Sequence, residues 1–433
     1  MHSVNLLAFP LFDRLQRFFN GPHPHVEKHD VSFTLMKPAT HPKPEYTITN
    51  PPTSMNIPEH IPDEIVLRIL ESAYDPQDLP SSQSFLASCA LVNRDWSVLS
   101  QKLLFRHITL RSQASFHSLT DALNPSTARG QMLADAVTGL RVVMDHNQPN
   151  AVSPTSFAHI VSLCPRLQEL DLSLFGRGLP GHDEVGSPAL ARMRRTGPLL
   201  DEKTLAVLRS GASITRLAFS NWTDDASTLS QLLHVWPSVH TLAITGSPPA
   251  MPPQASPAFP CALQDLRINC QRAPSFEFLK WLLQNSTGTL RRVQADRESC
   301  AEVLSRVVRE HQSSIQSVSL PTCTTREAAS SLMQCCDLRQ LRVEDARVIM
   351  VVCDTLPLSL EHIAFGVHRC TEMKPLLDLI SSSHNTGLHA VTLHLYKCGE
   401  LHNKLDVVRI ACALQGISLD IVRDIHEFRS VSC

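Results

Sequence analysis

Three stretches of the chain hold side chains whose types and spacing could do chemistry. "GRGLPG" at 176–181 places glycines at the spacing of a dinucleotide-binding turn and follows a predicted strand. In that fold the glycines open a helix whose N-terminus meets the pyrophosphate. Here Pro180 and "GHDEVGSPALARMRRTGP" follow, so the stretch reads as a loop insertion. His394, Cys398 and His402 stand four apart in "HLYKCGELH", which on a helix would put three metal ligands on one face. Gly399 and the strand pattern before it argue against a helix there. His23, His25 and His29 could also hold a metal, but no thiolate or carboxylate cluster accompanies them, and solvated rings are expected. No Gly-x-Ser-x-Gly, His-Glu-x-x-His or phosphate-loop motif occurs. The expectation is a protein that is not an enzyme, with no cofactor and no metal.

The 13 cysteines are odd in number and thinly spread, lack any Cys-x-x-Cys and include one adjacent pair, Cys335-Cys336. They read as buried thiols in a reducing compartment. An apolar fraction of 43 % against 18 % charged residues describes a chain that folds, and 433 residues exceed one typical domain. Thirty Pro against 15 Gly implies many stiff breaks between short elements. A net charge of −2 and only 5 % aromatic residues provide neither a basic field nor a stacking platform for nucleic acid. "MHSVNLLAFPLFDRLQRFFN" lacks the basic start and small-residue cleavage site of a signal peptide. No apolar run approaches the roughly 20 residues that span a bilayer. The sequons at Asn221 and Asn285 carry no weight without secretion. A soluble protein of the cytosol or nucleus is expected, with no nucleic-acid or membrane partner.

The elements fall into three parts. Residues 1–56 form a Pro- and His-rich leader, expected to be disordered apart from a short amphipathic helix at 4–19. Residues 57–107 read as a helical unit. Pro62 sits where a first-turn proline is favoured, and Asp63 and Glu64 complement the positive end of the helix dipole. Ile65, Val66, Ile69, Leu70 and Ala73 recur at helical spacing. After "DPQDLPSSQ", a second helix in "SFLASCALV" presents Phe85, Cys89 and Val92, with Leu86 and Ala90 beside them. Asn93 or Asp95 caps a third helix carrying Trp96, Leu99 and Leu103, and "RHITL" reads as a strand.

Residues 108–433 repeat an apolar triplet with gaps of two and one, as a short strand following a helix. Clear copies begin at positions 167, 214, 239, 263, 315, 338, 360 and 388, and weaker ones at Val137, Leu290 and Leu414. One gap of 47 is assigned to a loop insertion near 175–200; the other steps lie between 22 and 30. Between strands lie helical stretches such as "STLSQLLHVW", "FEFLKWLLQ", "CAEVLSRVVREH" and "KPLLDLISS". A strand and a helix every roughly 20–29 residues is the leucine-rich-repeat period.

The helical unit resembles an F-box. The residues that carry the resemblance are Ile61-Pro62-Asp63-Glu64-Ile65, the pair Ile69-Leu70 and "CALVNRDW" at 89–96, three blocks in the family's order. "QKLLFRHITLRS" is similar to the exit into repeats in fungal members. The first loop is longer than in the shortest F-boxes, and the repeats lack the regular asparagine after the strand. The fold expected is therefore α/β: a short three-helix F-box followed by an irregular leucine-rich-repeat solenoid.

The resemblance implies a substrate adaptor of a ubiquitin ligase, in which the F-box binds a Skp-type linker and through it a cullin scaffold. By motif position, Pro62, Ile65, Ile69, Leu91, Val92 and Trp96 are the candidate linker contacts or their immediate support. A unit of about 50 residues is near the lower limit for a self-sufficient core, so surplus apolar residues point to an interface. In each strand the residues between the apolar ones line the concave surface. Glu169, Asp171, Arg216, Asp265, Arg267, Gln340, Arg342, Thr392 and His394 are thereby candidates for a substrate face. Their mixed charge implies no ligand class. The alternative is a leucine-rich-repeat interaction scaffold whose F-box-like helices serve only as an N-terminal cap.

Overall fold

The structure, a computed structural model, describes residues 61–75, 79–178, 195–252, 259–323, 325–345, 357, 359–381 and 387–430. The leader, its helix at 4–19 and His23, His25 and His29 lie outside these residues. Two compact units meet in sequence between Arg106 and His107.

The first unit holds α1 (Asp63–Ser72), α2 (Leu79–Cys89) and α3 (Arg94–Leu104), with α3 packed on both others. Its interior is small: Val66 and Leu70 from α1, Leu86 and Cys89 from α2, and Leu103, Leu104 and Phe105 from α3 and its end.

The second unit is a single twelve-stranded sheet in which each strand pairs with the next in sequence order, always parallel. Its first strands are β1 (His107–Leu110), β2 (Gly139–Asp145) and β3 (Glu169–Phe175). After the hairpin of β4 (Arg177–Gly178) and β5 (Arg195–Thr196), which stands apart and is antiparallel, come β6 (Arg216–Trp222), β7 (Thr241–Gly246) and β8 (Asp265–Cys270). The sheet continues through β9 (Arg292–Ala295), β10 (Ser317–Thr322), β11 (Gln340–Asp345) and β12 (His362–Val367) to β13 (Ala390–Leu395) and β14 (Ser418–Val422). Parallel neighbours require crossovers. These are α4 (Gln113–Ala122) with α5 (Ala128–Ala136), α6 (Pro154–Leu163), α7 (Glu202–Ser210), α8 (Thr228–Val235), α9 (Phe276–Leu283), α10 (Glu298–Glu310), α11 (Arg326–Met333), α12 (Lys374–Ser381) and α13 (Leu405–Gln415). A last helix, α14 (Ile425–Ser430), follows β14. The twelve-stranded parallel sheet and its helices make an α/β solenoid.

The apolar triplets dictate the register. Leu170, Leu217, Leu242 and Leu266 stand opposite one another across β3 to β8, and Val293, Val318, Leu341, Ile363 and Val391 continue the row. All are buried. Full burial of each such side chain is worth about 1.5–3 kcal/mol, and each strand–helix unit buries its row only against its neighbours. Gly246 has φ +91°, and a Cβ there would strike the carbonyl oxygen of Asn221 on the adjacent strand.

One expectation is corrected. The weak copy at Leu414 is out of register: Leu414 lies exposed in α13, which ends at Gly416 in the left-handed region, and Leu419 is the residue opposite Val391. The strand expected in "RHITL" is observed as β1, the first strand of the sheet, with Ile108 opposite Leu140.

Candidate protein-interaction site

Helix α1 starts because Pro62 is extended, with ψ 142°, while its carbonyl accepts the N–H groups of Ile65 at 3.0 Å and Val66 at 3.2 Å. Pro62 therefore stands one position ahead of the first helical residue. Asp63 and Glu64 occupy the first turn, where the dipole favours negative charge. The helix then has two apolar stripes. Val66 and Leu70 are buried, whereas Ile65 and Ile69 form a second stripe at spacing four that is left exposed, and Ile61 is exposed just ahead of the helix.

Helix α2 ends at Cys89, and residues 90–92 turn the chain: the Leu91 and Val92 N–H groups donate to the carbonyls of Ser88 and Cys89, each at 3.1 Å. The face expected from sequence is thereby corrected. Leu86 and Cys89 point inward, while Phe85 and Val92 are exposed, Val92 to 63 %. Leu91 is exposed beside it. Asn93 caps α3, its Oδ1 accepting from Trp96 N at 2.9 Å, and Asp95 takes the first turn instead. That cap fixes where the half-buried Trp96 leaves the backbone. Among the described residues between 61 and 98, seven large apolar side chains are thus exposed: Ile61, Ile65, Ile69, Phe85, Leu91, Val92 and Val98. Ile61, Phe85 and Val98 were not among the sequence candidates; the signal for the first was its place in the Ile61-Pro62-Asp63-Glu64-Ile65 block.

On the solenoid, the residues between the apolar rows lie on the sheet face turned away from the helices. Glu169 stands opposite Arg216 and is ion-paired to it at 3.2 Å. Asp171 stands opposite Arg141, also at 3.2 Å; burial pushes the Asp171 carboxyl up and Arg141 pulls it back. Asp265 receives two hydrogen bonds from Arg292, at 2.6 and 2.9 Å, and Arg267 pairs with buried Asp296 at 2.8 Å. Parallel register brings the first three pairs side by side, while Asp296 reaches Arg267 from just beyond the end of β9. Gln340 is partly exposed. Arg342, Thr392 and His394 share the same rows but are not open to solvent, Arg342 being only 2 % exposed. They differ from the expectation because α14 lies over this part of the sheet. Its Phe428 is fully buried in a cluster with Ala364 and Val422 and stacks on the His394 ring at 5.0 Å. Thr392 is engaged by His362, Oγ1 to Nε2 at 2.9 Å.

A family model described as F-box-like matches residues 58–111. The chain carries an F-box-like domain. A domain of this kind binds protein partners such as Skp-type subunits. All six linker candidates, Pro62, Ile65, Ile69, Leu91, Val92 and Trp96, fall inside the F-box-like domain, and all but the half-buried Trp96 are exposed in it. No curated protein matches the chain.

The chemical decoys resolve into structure. Gly176 leads into the short antiparallel hairpin of β4 and β5, with no helix opening on 176–178; Pro180 and Gly181 lie outside the described residues. His394 lies in β13, Cys398 is an exposed left-handed residue with φ 64°, and His402 Nε2 engages the Thr371 carbonyl at 2.7 Å. Among the described residues no group of three or more His, Cys, Asp or Glu is placed to hold a metal ion. Burial pushes the thiols of Cys164, Cys270 and Cys335 up to about 12, which keeps them protonated and unreactive. Asn221 is buried, donating to Asp225 O at 2.7 Å and accepting from Thr223 Oγ1 at 2.8 Å, so its sequon is structural. Among the described residues no helix is long and apolar enough to cross a membrane.

Proposed function

We propose that this chain is the substrate-recognition adaptor of an SCF-type (Skp–cullin–F-box) ubiquitin ligase. Its F-box-like domain binds the Skp-type linker, which joins it to a cullin, and its strand–helix units, read as degenerate leucine-rich repeats, hold the substrate. The observation that carries this reading is the apolar surface left open on α1 and on the turn before α3. In water, covering such side chains is favourable, and exposed patches of this kind mark protein interaction sites. Pro62, Ile65, Ile69, Leu91 and Val92 make the contact, and Trp96, seated by the Asn93 cap, supports the turn that presents Leu91 and Val92.

The mechanism is proximity. Holding a substrate beside a ubiquitin-conjugating enzyme raises the effective concentration of its lysines at the thioester, and the adaptor itself needs no catalytic residue. Free thiols at every described cysteine fit a cytosolic or nuclear setting. The test is a pull-down of a purified Skp-type linker by the full chain beside a Pro62→Ala/Ile65→Ala variant. Capture by the wild type and loss in a folded variant is the expected result. No capture by the wild type would overturn the proposal and leave a repeat scaffold with an F-box-like cap.

A further inference from the structure

Along most of the open sheet face, each charged side chain is paired with one from a neighbouring strand or loop, as in Arg141–Asp171, Glu169–Arg216 and Asp265–Arg292. Glu344 on β11 differs. Its ion partner comes from the helix lying on top: Arg429 donates from Nε to Oε1 at 2.6 Å and from Nη2 to Oε2 at 2.8 Å. Beside it, Arg342 donates from Nη1 to the Arg429 carbonyl at 2.6 Å and reaches the Phe428 carbonyl at 3.5 Å. Phe428 fills the apolar space over Ala364 and Val422, against the His394 ring. The sheet thus offers an aromatic seat, a carboxylate aligned for a bidentate guanidinium, and a guanidinium aimed at the last carbonyls of a helix. An aromatic and an arginine anchored in a desolvated pocket are the side chains that dominate protein interfaces.

The element that fills this seat is weakly fixed by its own means. Helix α14 has six residues, Phe428 is its only buried one, and it follows the edge strand β14 after Arg423 and Asp424, packing back on that strand through Phe428 against Val422 with Ile425 beside them. So short a helix has little stability of its own. Next to it lies an open hollow of about 610 Å³ whose lining includes Ile425, Arg429, Asp345, His368, Tyr396 and Lys397. A segment longer than α14 could lie in the same place and extend into it.

We infer that the seat on β11–β13 is a recognition site for a helical protein segment presenting an aromatic residue followed by arginine, and that α14 is its intramolecular occupant. A partner carrying that pair displaces α14 and takes the same bonds to Arg342 and Glu344. This names the substrate class of the proposed adaptor and rests on that reading for its use in the cell.

The probe is a fluorescent synthetic peptide of this chain's own residues 423–430, titrated into the full-length protein. The host variant is Phe428→Ala/Arg429→Ala, which weakens α14 and leaves the seat unchanged. The variant should bind the peptide at least about tenfold more tightly than wild type, and adding Glu344→Gln should reverse most of that gain. A folded variant that shows no saturable binding, or binding indifferent to Glu344→Gln, overturns the inference. Should the variant fail to fold, hydrogen exchange on the wild type decides. Amides of 425–430 exchanging about 100-fold faster than those of β12 and β13 support an exchangeable occupant, and equal protection refutes it. Linker capture by the same proteins reports on the F-box-like domain alone, so failure of the adaptor reading and failure of the seat are separately visible.

Discussion

The two apolar stripes of α1 allow binding and folding to be separated within one helix. Ile65 and Ile69 are 52 % and 44 % exposed, so about half of each side chain remains to be covered by a partner. Full burial of an isoleucine is worth about 1.5–3 kcal/mol, which leaves about 1 kcal/mol for each at the interface. Ile65→Ala/Ile69→Ala should therefore cost about 2 kcal/mol of linker affinity, a loss of about 30-fold, with little change in folding. Leu70, one residue from Ile69, is fully buried, and Leu70→Ala should cost about 2–5 kcal/mol of stability. The assay is amide hydrogen exchange over residues 63–72 in the full chain, beside a titration with a purified linker. The surface pair should leave exchange within about twofold of wild type, while Leu70→Ala should accelerate it at least about 30-fold, as a loss of 2 kcal/mol requires. Equal acceleration in both variants, or undiminished affinity in the surface pair, would refute the division of α1 into a folding side and a binding side.

Three further outcomes are expected. Gly246→Ala forces a Cβ onto the Asn221 carbonyl at φ +91° and should lower the urea midpoint by an amount equivalent to about 1–3 kcal/mol or more. Burial pushes the His311, His362 and His394 imidazoles below the ordinary histidine range. The unfolded chain then takes up protons first, so the stability these neutral rings contribute is whole above about pH 6.5 and is lost as pH falls through the depressed values. Tm should fall between about pH 7.5 and 5.5, and His362→Gln should shrink the fall. Iodoacetamide on the native protein should label exposed Cys336, Cys370 and Cys398 and spare Cys164, Cys270 and Cys335 until denaturation, as read by peptide mass mapping.

Much of the solenoid was legible because an apolar triplet every 22 to 30 residues leaves few ways to pair strands: one register buries Leu170, Leu217, Leu242 and Leu266 together, and a slip of one residue exposes them all. The pattern failed at Leu414, where helical and strand apolar residues run together and only the left-handed Gly416 marks the change. In the F-box-like domain, periodicity revealed an excess of apolar residues but not which stripe of α1 packs inward, since that depends on where α3 lies; Ile65 and Ile69 were singled out by motif position alone. Phe85 was expected on the same face as Cys89, yet the two separate because α2 turns Leu86 and Cys89 to the core. Nothing in "IHEFRS" announces that Phe428 and Arg429 lie on the sheet. Arg342 and Arg429 are 87 residues apart, and no local periodicity encodes such a contact.

The most direct test of the central claim is hydrogen exchange on the full chain with and without a purified Skp-type linker. The adaptor account predicts new protection confined to residues 61–72 and 85–98, with the sheet and α14 unchanged. Unchanged exchange across 61–98 at saturating linker, or protection that falls on the sheet instead, would contradict it.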